Sequence, residues 1–426
     1  MRAALWFLAL FAVAVAVALF AGSNPGTVTL FWPPWRVDLS LNLVLVALTV
    51  IGVVMHLALR ALAALFEMPR QARRWRAQQR ERAIHAALVD AQAQLLAGRF
   101  LRARKSAQLV LAREQALADS EAPLAHSAQL RVLTHVIAAE AAHALQDTAR
   151  RDEHLRLALA GGDLRGSAAV QEVREGARLR AARWAVEDRD ADAALGWLDG
   201  LPQGAARRTL ALRTRLRAAR LARQTAQALE TARLLAKHRA FSPAAARSIV
   251  RGLAGELIAG AHDTTQLQRV WEGLDPAERL MPELASEAAR RLVRLGGDAR
   301  TARAWLLPVW DRLLTDVDAL SAEVRRQVLR AVEASLGAGD DDEWLARIEA
   351  AQQRLPRDAG LQYLAGVACL RRQLWGRAQL LLGQAAQALD DEAMRRDAWR
   401  ELGRLAEQRG DGDAATLAWK RAATGT

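Results

Sequence analysis

Two apolar stretches near the N-terminus constrain the fold more than any other feature of the chain. Residues 3–22 and 39–59 contain no Asp, Glu, Lys or Arg. About 20 helical residues span the roughly 30 Å hydrocarbon core of a bilayer. Only residues 23–38 separate the two stretches. The sequence therefore predicts a hairpin of two membrane-spanning helices, with the rest of the chain outside the membrane.

The first stretch also resembles a secretory signal, because Arg2 precedes it. Its apolar run is longer than the roughly 7–15 residues of a signal core. Cleavage after Ala21 or Gly22 would also place Leu19 or Phe20 where a small residue is required. We therefore favour a retained hairpin, and a cleaved signal followed by one anchor is the alternative.

The distribution of arginine predicts the orientation. Arg36 is the one basic residue between the two spans, and Asp38 offsets it, whereas seven arginines lie between residues 60 and 82. Positive flanks stay in the cytoplasm, so we expect the large C-terminal part to be cytoplasmic. The candidate contacts with anionic lipid headgroups are Arg70, Arg73, Arg74 and Arg76.

The loop between the spans begins with Asn24-Pro-Gly26, which is typical of a turn. Residues 28–31 can run extended, and Trp32 and Trp35 suit the aromatic belt of a membrane interface. The same two tryptophans could instead form a recognition surface.

Composition predicts an all-α fold for the remainder. Aromatic residues make up only 5% of the chain, Ala and Leu dominate, and β-branched runs are scarce beyond the apolar stretches. Cys369 is the single cysteine, which excludes an intrachain disulfide and a zinc site built on cysteine pairs. We expect it to be a small buried core residue.

The most specific signal in the C-terminal part is a helical repeat. Trp399-x-x-Leu402-Gly403, followed by Ala415, fits the tetratricopeptide (TPR) pattern. In that pattern the glycine lets the second helix approach the first. Gly366 and Ala378 hold the same relative places in the preceding unit, and a looser copy begins at Ala87. The predicted packing residues are Gly366, Ala378, Trp399, Leu402, Gly403 and Ala415.

We predict five to seven helix pairs, stacked as a TPR-like α-solenoid. A plain helical bundle is the alternative for the divergent middle. The predicted domains are a transmembrane hairpin at 1–66 (spans about 3–22 and 39–59), a basic juxtamembrane segment at 67–83 and a helical repeat domain at 84–426.

No catalytic or metal-binding constellation is evident in the sequence. No two histidines have the i, i+4 spacing of a helical metal site, and no glycine-rich phosphate loop is present. Asp188-x-Asp190-x-Asp192 imitates the start of a calcium loop, but Ala193 stands where the loop needs glycine. We expect these acids to cap a helix. His56, inside the second apolar stretch, is a weak candidate for ligand or proton chemistry.

Arginine dominates the basic residues and forms one cluster without an acid. The net charge is +13, and lysine occurs only at positions 105, 237 and 420. A guanidinium cluster suits carboxylates, phosphates or an acidic partner. An ordinary surface in an arginine-biased protein is the alternative, and nucleic acid is not expected because no aromatic residues are interleaved. The candidate residues are Arg207, Arg208, Arg213, Arg217 and Arg220.

The organisation of the chain resembles the proteobacterial HemY family, which are inner-membrane TPR proteins associated with haem biosynthesis. The resemblance includes the two spans, Gly26-Thr-Val-Thr-Leu-Phe-Trp32, the basic stretch, Leu95-x-x-Gly98-Arg-Phe100 and Asp147-Thr-Ala-Arg150. It continues to Leu370-x-x-Gln373-x-Trp375 near the C-terminus. The family has no established catalytic residues, so the resemblance implies none here.

The resemblance implies a non-enzymatic scaffold in the bacterial inner membrane that organises or regulates late porphyrin and haem synthesis through protein–protein interaction. No cofactor is expected for that role. One alternative is a direct haem or tetrapyrrole carrier, in which histidine or arginine side chains, such as those of the arginine cluster, bind the iron or the propionates. Another is a general envelope scaffold unrelated to haem. The expected partners are the bilayer and haem-biosynthesis enzymes, and a homo-oligomer is a further possibility.

Overall fold

The computed structural model describes residues 2–22, 26–118, 126–160, 167–315, 320–337 and 342–424. The chain divides into two compact units, Met1–Val173 and Arg174–Thr426. Each unit is helical, apart from a two-stranded β-hairpin in the first.

The first unit begins with helix α1, Arg2–Gly22, and a β-hairpin. Strand β1, Thr27–Trp32, pairs antiparallel with strand β2, Trp35–Ser40. The predicted extended run is confirmed, but the second strand was not predicted. Leu39 and Ser40, which we assigned to the second span, belong to β2 because they pair with Val28 and Thr27.

Helix α2 is a single helix of 56 residues, Leu41–Leu96. The Ser40 side chain caps it by accepting a hydrogen bond from the Leu43 amide at 3.3 Å. Within the described residues, one segment is long and apolar enough to cross a membrane, Leu41–Ala63. One such segment, rather than two, is therefore identified, and the two-helix transmembrane hairpin stays a prediction. Helix α2 also runs through both predicted domain borders, at 66/67 and 83/84.

The rest of the first unit packs onto the C-terminal part of α2. Helix α3 packs on α2, α4 on α3, and α5 on α4. Ile84 and Ala91 of α2 are fully buried in the interfaces that result. These helices are α3, Phe100–Ala118; α4, Ser127–Ala144; and α5, Thr148–Leu159.

Helix α6, Ala168–Glu187, begins in the first unit and continues into the second. The second unit then contains α7, Ala191–Asp199; α8, Gln203–Ala206; α9, Thr209–Leu221; α10, Thr225–Lys237; α11, Pro243–Gly260; α12, Thr264–Glu272; α13, Pro276–Arg279; α14, Pro282–Arg294; α15, Ala299–Thr315; α16, Ala322–Ser335; α17, Asp342–Arg354; α18, Ala359–Arg371; α19, Trp375–Ala388; α20, Glu392–Gln408; and α21, Gly412–Thr424.

Helices of the second unit pack chiefly on their neighbours in sequence. Helix α9 packs on α10, α10 on α11, α17 on α18, α18 on α19, α19 on α20, and α20 on α21. Alternate helices also touch, since α14 contacts α16, α16 contacts α18, and α18 contacts α20. Stacking between sequence neighbours is the packing mode of helical repeat proteins.

The helices outnumber the prediction. Leaving aside the one-turn helices α8 and α13, eighteen helices lie in the described part of residues 41–424, enough for nine pairs rather than five to seven. The turn between α9 and α10 was missed because it carries neither glycine nor proline. Arg223 turns the chain there at φ of 57°, in the left-handed region that glycine usually occupies.

One turn geometry recurs along the chain. A residue with positive φ ends the helix, and the amide of the next residue donates to the carbonyl five positions earlier, which is the Schellman motif. The bonds measure 2.8–3.0 Å at these turns. The residues with positive φ are Gly98, Gln146, Arg189, Arg223, Arg239, Gly296, Gln373 and Gly410.

Candidate interaction site

The predicted arginine cluster lies on and just before α9. Arg207 and Arg208 precede the helix, and Arg213, Arg217 and Arg220 follow one another on its exposed side. The opposite side is buried, because Leu212, Leu216 and Ala219 belong to the core that continues through α10. The chain has no acidic residue between Asp199 and Glu230, so nothing within this segment neutralises the exposed side.

Two of the candidate arginines are held by contacts within the second unit. Arg208 donates to Glu175 Oε2 at 2.9 Å. Arg213 donates to the Ala240 carbonyl at 2.7 Å, and its guanidinium lies 5.7 Å from the centre of the Phe241 ring. Arg208 and Arg213 therefore support the packing of α9 and are less available to a partner.

The remaining candidates are exposed. Among the contacts of the described residues, the side chains of Arg207, Arg217 and Arg220 form no hydrogen bond or ion pair. Leu210 and Leu221 are 49% and 40% exposed at the two ends of the same helix. The structure thus brings Arg217 and Arg220 together with two exposed leucines, and we name these four residues the α9 face.

Hydrophobic and cationic side chains on one helix can bind an acidic amphipathic partner. The leucines provide apolar area, and the guanidinium groups provide bidentate donors for carboxylates. The sequence analysis recognised the arginines but missed the leucines, because an exposed leucine cannot be distinguished from a core leucine without the helix register.

Arg213 is one of five arginines with a common structural role, which accounts for part of the basic excess. They donate to backbone carbonyls at or just beyond the C-terminal ends of neighbouring helices, where carbonyls lack helical partners and the helix dipole is negative. The pairs are Arg213 with Ala240, Arg233 with Gly273, Arg291 with Ala261, Arg303 with Ser335, and Arg371 with Leu336.

A second arginine system joins α16 to the two helices α18 and α20. Arg325 pairs with Asp358 and Arg326 pairs with Asp391. Each of these aspartates also caps the helix that follows it. Asp358 accepts a hydrogen bond from the Leu361 amide at 2.9 Å, and Asp391 accepts one from the Met394 amide at 2.8 Å. The arginines of α16 therefore hold the N-terminal ends of both helices.

The centre of this system is a half-buried network around Tyr363. The Tyr363 hydroxyl donates to Glu333 Oε1 at 2.5 Å, and Arg330 donates to Glu333, to Tyr363 and to Asp397 at 3.0, 3.2 and 2.6 Å. Burial and the charge of Glu333 raise the pKa of Tyr363 far above its ordinary value. Burial alone would lower the pKa of Arg330, but Glu333 and Asp397 outweigh it and the pKa is raised. Each group is already bonded within the protein, so this network is structural.

The predicted repeat residues lie in the interfaces between the last helices. An added Cβ at Gly403 would lie 2.9 Å from Trp419 Cε2, and one at Gly366 would lie 2.7 Å from Leu382 Cγ. Ala378 and Ala415 are buried, and Leu402 packs against the cluster that contains Trp399. These positions thus need small side chains or fill the adjoining core.

A pair of histidines forms a polar contact in the core of the first unit. His135 Nδ1 of α4 lies 3.2 Å from His154 Nδ1 of α5, so one imidazole donates and the other accepts. Burial, together with the charge of His154, lowers the pKa of His135 to about 4, and burial also lowers the pKa of His154. Both rings are therefore neutral near pH 7.

The described residues contain no group of three or more metal-ligating side chains. Asp190 caps α7, accepting from the Ala193 amide at 2.9 Å, as the capping interpretation of the acidic triplet predicts. Cys369 is fully buried, and burial raises the pKa of its thiol.

The candidate lipid contacts are only partly described. All four positions belong to α2, and Arg76 is exposed. The side chains of Arg70, Arg73 and Arg74 lie outside the described residues.

The chain was compared with solved structures and with curated proteins. It matches the APC/C hetero-tetramer Cut9–Hcn1 at 14% identity, covering 80% of this chain and 66% of that one, with a TM-score of 0.26. It matches the P58(IPK) TPR domain at 14% identity, covering 77% of this chain and 99% of that one, with a TM-score of 0.22. It matches Naa15/Naa10 bound to HypK-THB at 12% identity, covering 77% of this chain and 57% of that one, with a TM-score of 0.25. No curated protein matches the chain.

A family model gives the assignment. Residues 26–146 match the model described as the HemY protein N-terminus. The matched segment begins with the β-hairpin, continues through α2 and α3, and ends just after α4. The predicted resemblance to the HemY family is thus confirmed over residues 26–146, which match its N-terminal model.

Proposed function

We propose that this chain is a non-enzymatic, membrane-anchored scaffold that organises or regulates enzymes of late porphyrin and haem synthesis. In this proposal both membrane spans are retained in the bacterial inner membrane, and the helical repeats face the cytoplasm. Partner enzymes bind the repeats through the α9 face.

The observation that carries the proposal is the continuity of α2. The helix starts as the apolar segment Leu41–Ala63, in which no side chain is buried, and extends for about 84 Å without a break. At its other end, Ile84, Ala87 and Ala91 are buried against the helices that follow. One helix therefore serves as anchor and as the first helix of the repeat layer, which suits a protein that holds partners at a membrane.

A tethered scaffold also fits the chemistry of the pathway. Porphyrins are poorly soluble and reactive, so a short transfer distance between successive enzymes limits their escape. Binding two enzymes to one membrane-held chain raises their effective concentration without any new contact between them. The family assignment supports the link to haem, and the α9 face supports binding of a protein with an acidic surface.

Crosslinking in native membranes, followed by mass spectrometry, tests the proposal. We expect crosslinks from the second unit to enzymes that act on porphyrins, with linked positions near α9. Recovery of envelope or division proteins without any porphyrin enzyme would contradict the haem role and favour a general scaffold.

The orientation requires its own test. A reporter fused after Thr426 that is active only in the cytoplasm should be active, and the same reporter inserted in the turn at Pro33-Pro34 should be silent. A periplasmic C-terminus would contradict the proposal, because cytoplasmic enzymes could not reach the repeats.

A further inference from the structure

The β-hairpin between α1 and α2 has one entirely apolar face. Residues that face each other across an antiparallel pair project to the same side of the sheet. One side carries the pairs Val28–Leu39, Leu30–Val37 and Trp32–Trp35, and the other carries Thr27–Ser40, Thr29–Asp38 and Phe31–Arg36.

The polar side is satisfied within the hairpin. Arg36 lies 3.4 Å from Asp38 on the same strand, and its guanidinium lies 5.5 Å from the centre of the Phe31 ring across the sheet. The two opposite charges cancel, so the hairpin carries no net charge.

The apolar side is exposed. Leu30 is 56% exposed, Trp32 78% and Trp35 73%. An isolated two-stranded hairpin is at best marginally stable in water. This face therefore needs a cover.

The attachment of the hairpin identifies that cover. The Leu41 amide donates to the Gly26 carbonyl at 2.9 Å, which closes the base of the hairpin on the first residue of α2. The segment long and apolar enough to cross a membrane starts at that same residue. With no linker between them, the hairpin starts where the hydrocarbon core ends, at the depth where tryptophan is enriched.

We propose that residues 27–40 lie flat in the headgroup region of the leaflet where α2 begins. The face formed by Val28, Leu30, Trp32, Trp35, Val37 and Leu39 contacts the acyl chains, and the polar face contacts water. Each six-residue strand covers about 20 Å of the surface. This inference rests on the membrane anchorage in the proposed function. Because the hairpin is neutral, its contact depends on apolar burial and not on anionic lipid.

Spin labels on the full chain test the proposal. The chain is reconstituted in phosphatidylcholine nanodiscs after Cys369→Ala, and a nitroxide is attached at Leu30→Cys or, as the matched control on the opposite face, at Thr29→Cys. We expect the label at position 30 to be several-fold more accessible to oxygen than to a water-soluble nickel complex, and the label at position 29 to show the reverse. Addition of phosphatidylglycerol should leave the oxygen and nickel accessibilities of both labels unchanged.

Two outcomes would overturn the inference. Equal nickel accessibility at both positions would mean that the hairpin stands in water. Protection of position 30 that persists in detergent and disappears on dilution would mean that a second copy covers the face.

A label at Val50→Cys, in the middle of the candidate span, separates this inference from the proposed function. If the label at 50 is in lipid and the label at 30 is in water, only the hairpin inference fails. If the label at 50 is in water, the anchorage fails as well.

Discussion

The indole ring of Trp419 lies against Gly403, so close that a Cβ at position 403 would stand 2.9 Å from Cε2 and 3.1 Å from Nε1. The ring is held there by its own hydrogen bond, from Nε1 to Glu407 Oε1 at 2.7 Å. The C-terminal helix pair therefore depends on the absence of a side chain at one position.

Replacing this glycine should loosen the last two helices. In Gly403→Ala, the added methyl group displaces the indole ring, at a cost of about 1–3 kcal/mol. The higher helix propensity of alanine offsets about 1 kcal/mol of this cost. We expect a net loss of about 1 kcal/mol in the opening free energy of α20 and α21, measured by hydrogen exchange on the full chain in detergent.

Gly383→Ala is the matched control. Gly383 lies inside α19, and a Cβ there meets no atom within 4 Å. This variant should slow exchange slightly, by the propensity gain alone. Equal effects of the two substitutions would contradict the role of the Gly403–Trp419 contact.

The comparison of sequence and structure shows which features a local pattern can predict. Gly403 and Ala415 were found because the TPR pattern fixes small residues by spacing. The turn at Arg223 was missed because a left-handed arginine has no sequence signature, and the Schellman hydrogen bond that stabilises it becomes visible only in three dimensions. The strand that ends at Ser40 was missed because Leu39 also suits the start of an apolar helix.

The candidate site shows a second limit. The sequence places Arg208 and Arg213 in the same cluster as Arg217 and Arg220. The structure separates them, because Glu175 and the Ala240 carbonyl are distant in sequence and adjacent in space. Which cations remain available to a partner is therefore a tertiary property.

Charge reversal on the α9 face should release the partner without unfolding the chain. Arg217→Glu with Arg220→Glu replaces two donors by acceptors, and like charges then face an acidic partner. We expect crosslinks to the partner to fall several-fold in native membranes, with hydrogen exchange in α9 and α10 unchanged.

Arg247→Glu is the control for that experiment. Arg247 is exposed on α11 and, among the described contacts, has no ion pair. It should leave the crosslinks intact. Equal loss with Arg247→Glu would point to net charge rather than to the α9 face.

The Arg330 network should stabilise the contact between α16, α18 and α20. Arg330→Met leaves Glu333 and Asp397 without their shared cation, and we expect a loss of about 2 kcal/mol. Tyr363→Phe removes two hydrogen bonds, the one donated to Glu333 and the one accepted from Arg330, and should cost about 1–2 kcal/mol. The double variant should lose less stability than the two single variants together, because both residues donate hydrogen bonds to Glu333.

Arg404→Met serves as the comparison, because Arg404 pairs with Glu401 on the surface of α20 at 2.6 Å. A solvent-exposed pair contributes between 0 and about 1 kcal/mol. The measurement is again hydrogen exchange, at the amides of α16, α18 and α20. A cost for Arg404→Met as large as that for Arg330→Met would argue against a special role of the network.

The histidine pair should make the first unit sensitive to acid. The pKa of His135 is about 4 in the folded protein, against an ordinary value of 6.5. Between pH 6.5 and pH 4, His135 is protonated in the unfolded chain but neutral in the folded chain. The free energy of unfolding therefore falls as the pH drops from 6.5 toward 4. Above pH 6.5 both states are neutral at this site, so stability there does not depend on it. We expect a loss of about 3 kcal/mol by pH 4 in the opening free energy of α4 and α5. Hydrogen exchange of the α4 and α5 amides, corrected for the intrinsic pH dependence of exchange, measures this loss.

His135→Gln should flatten the dependence of the opening free energy on pH, whereas His85→Gln, which changes an exposed ring on α2, should not. A His135→Gln profile as steep as that of the unmodified chain would show that other groups cause the acid sensitivity.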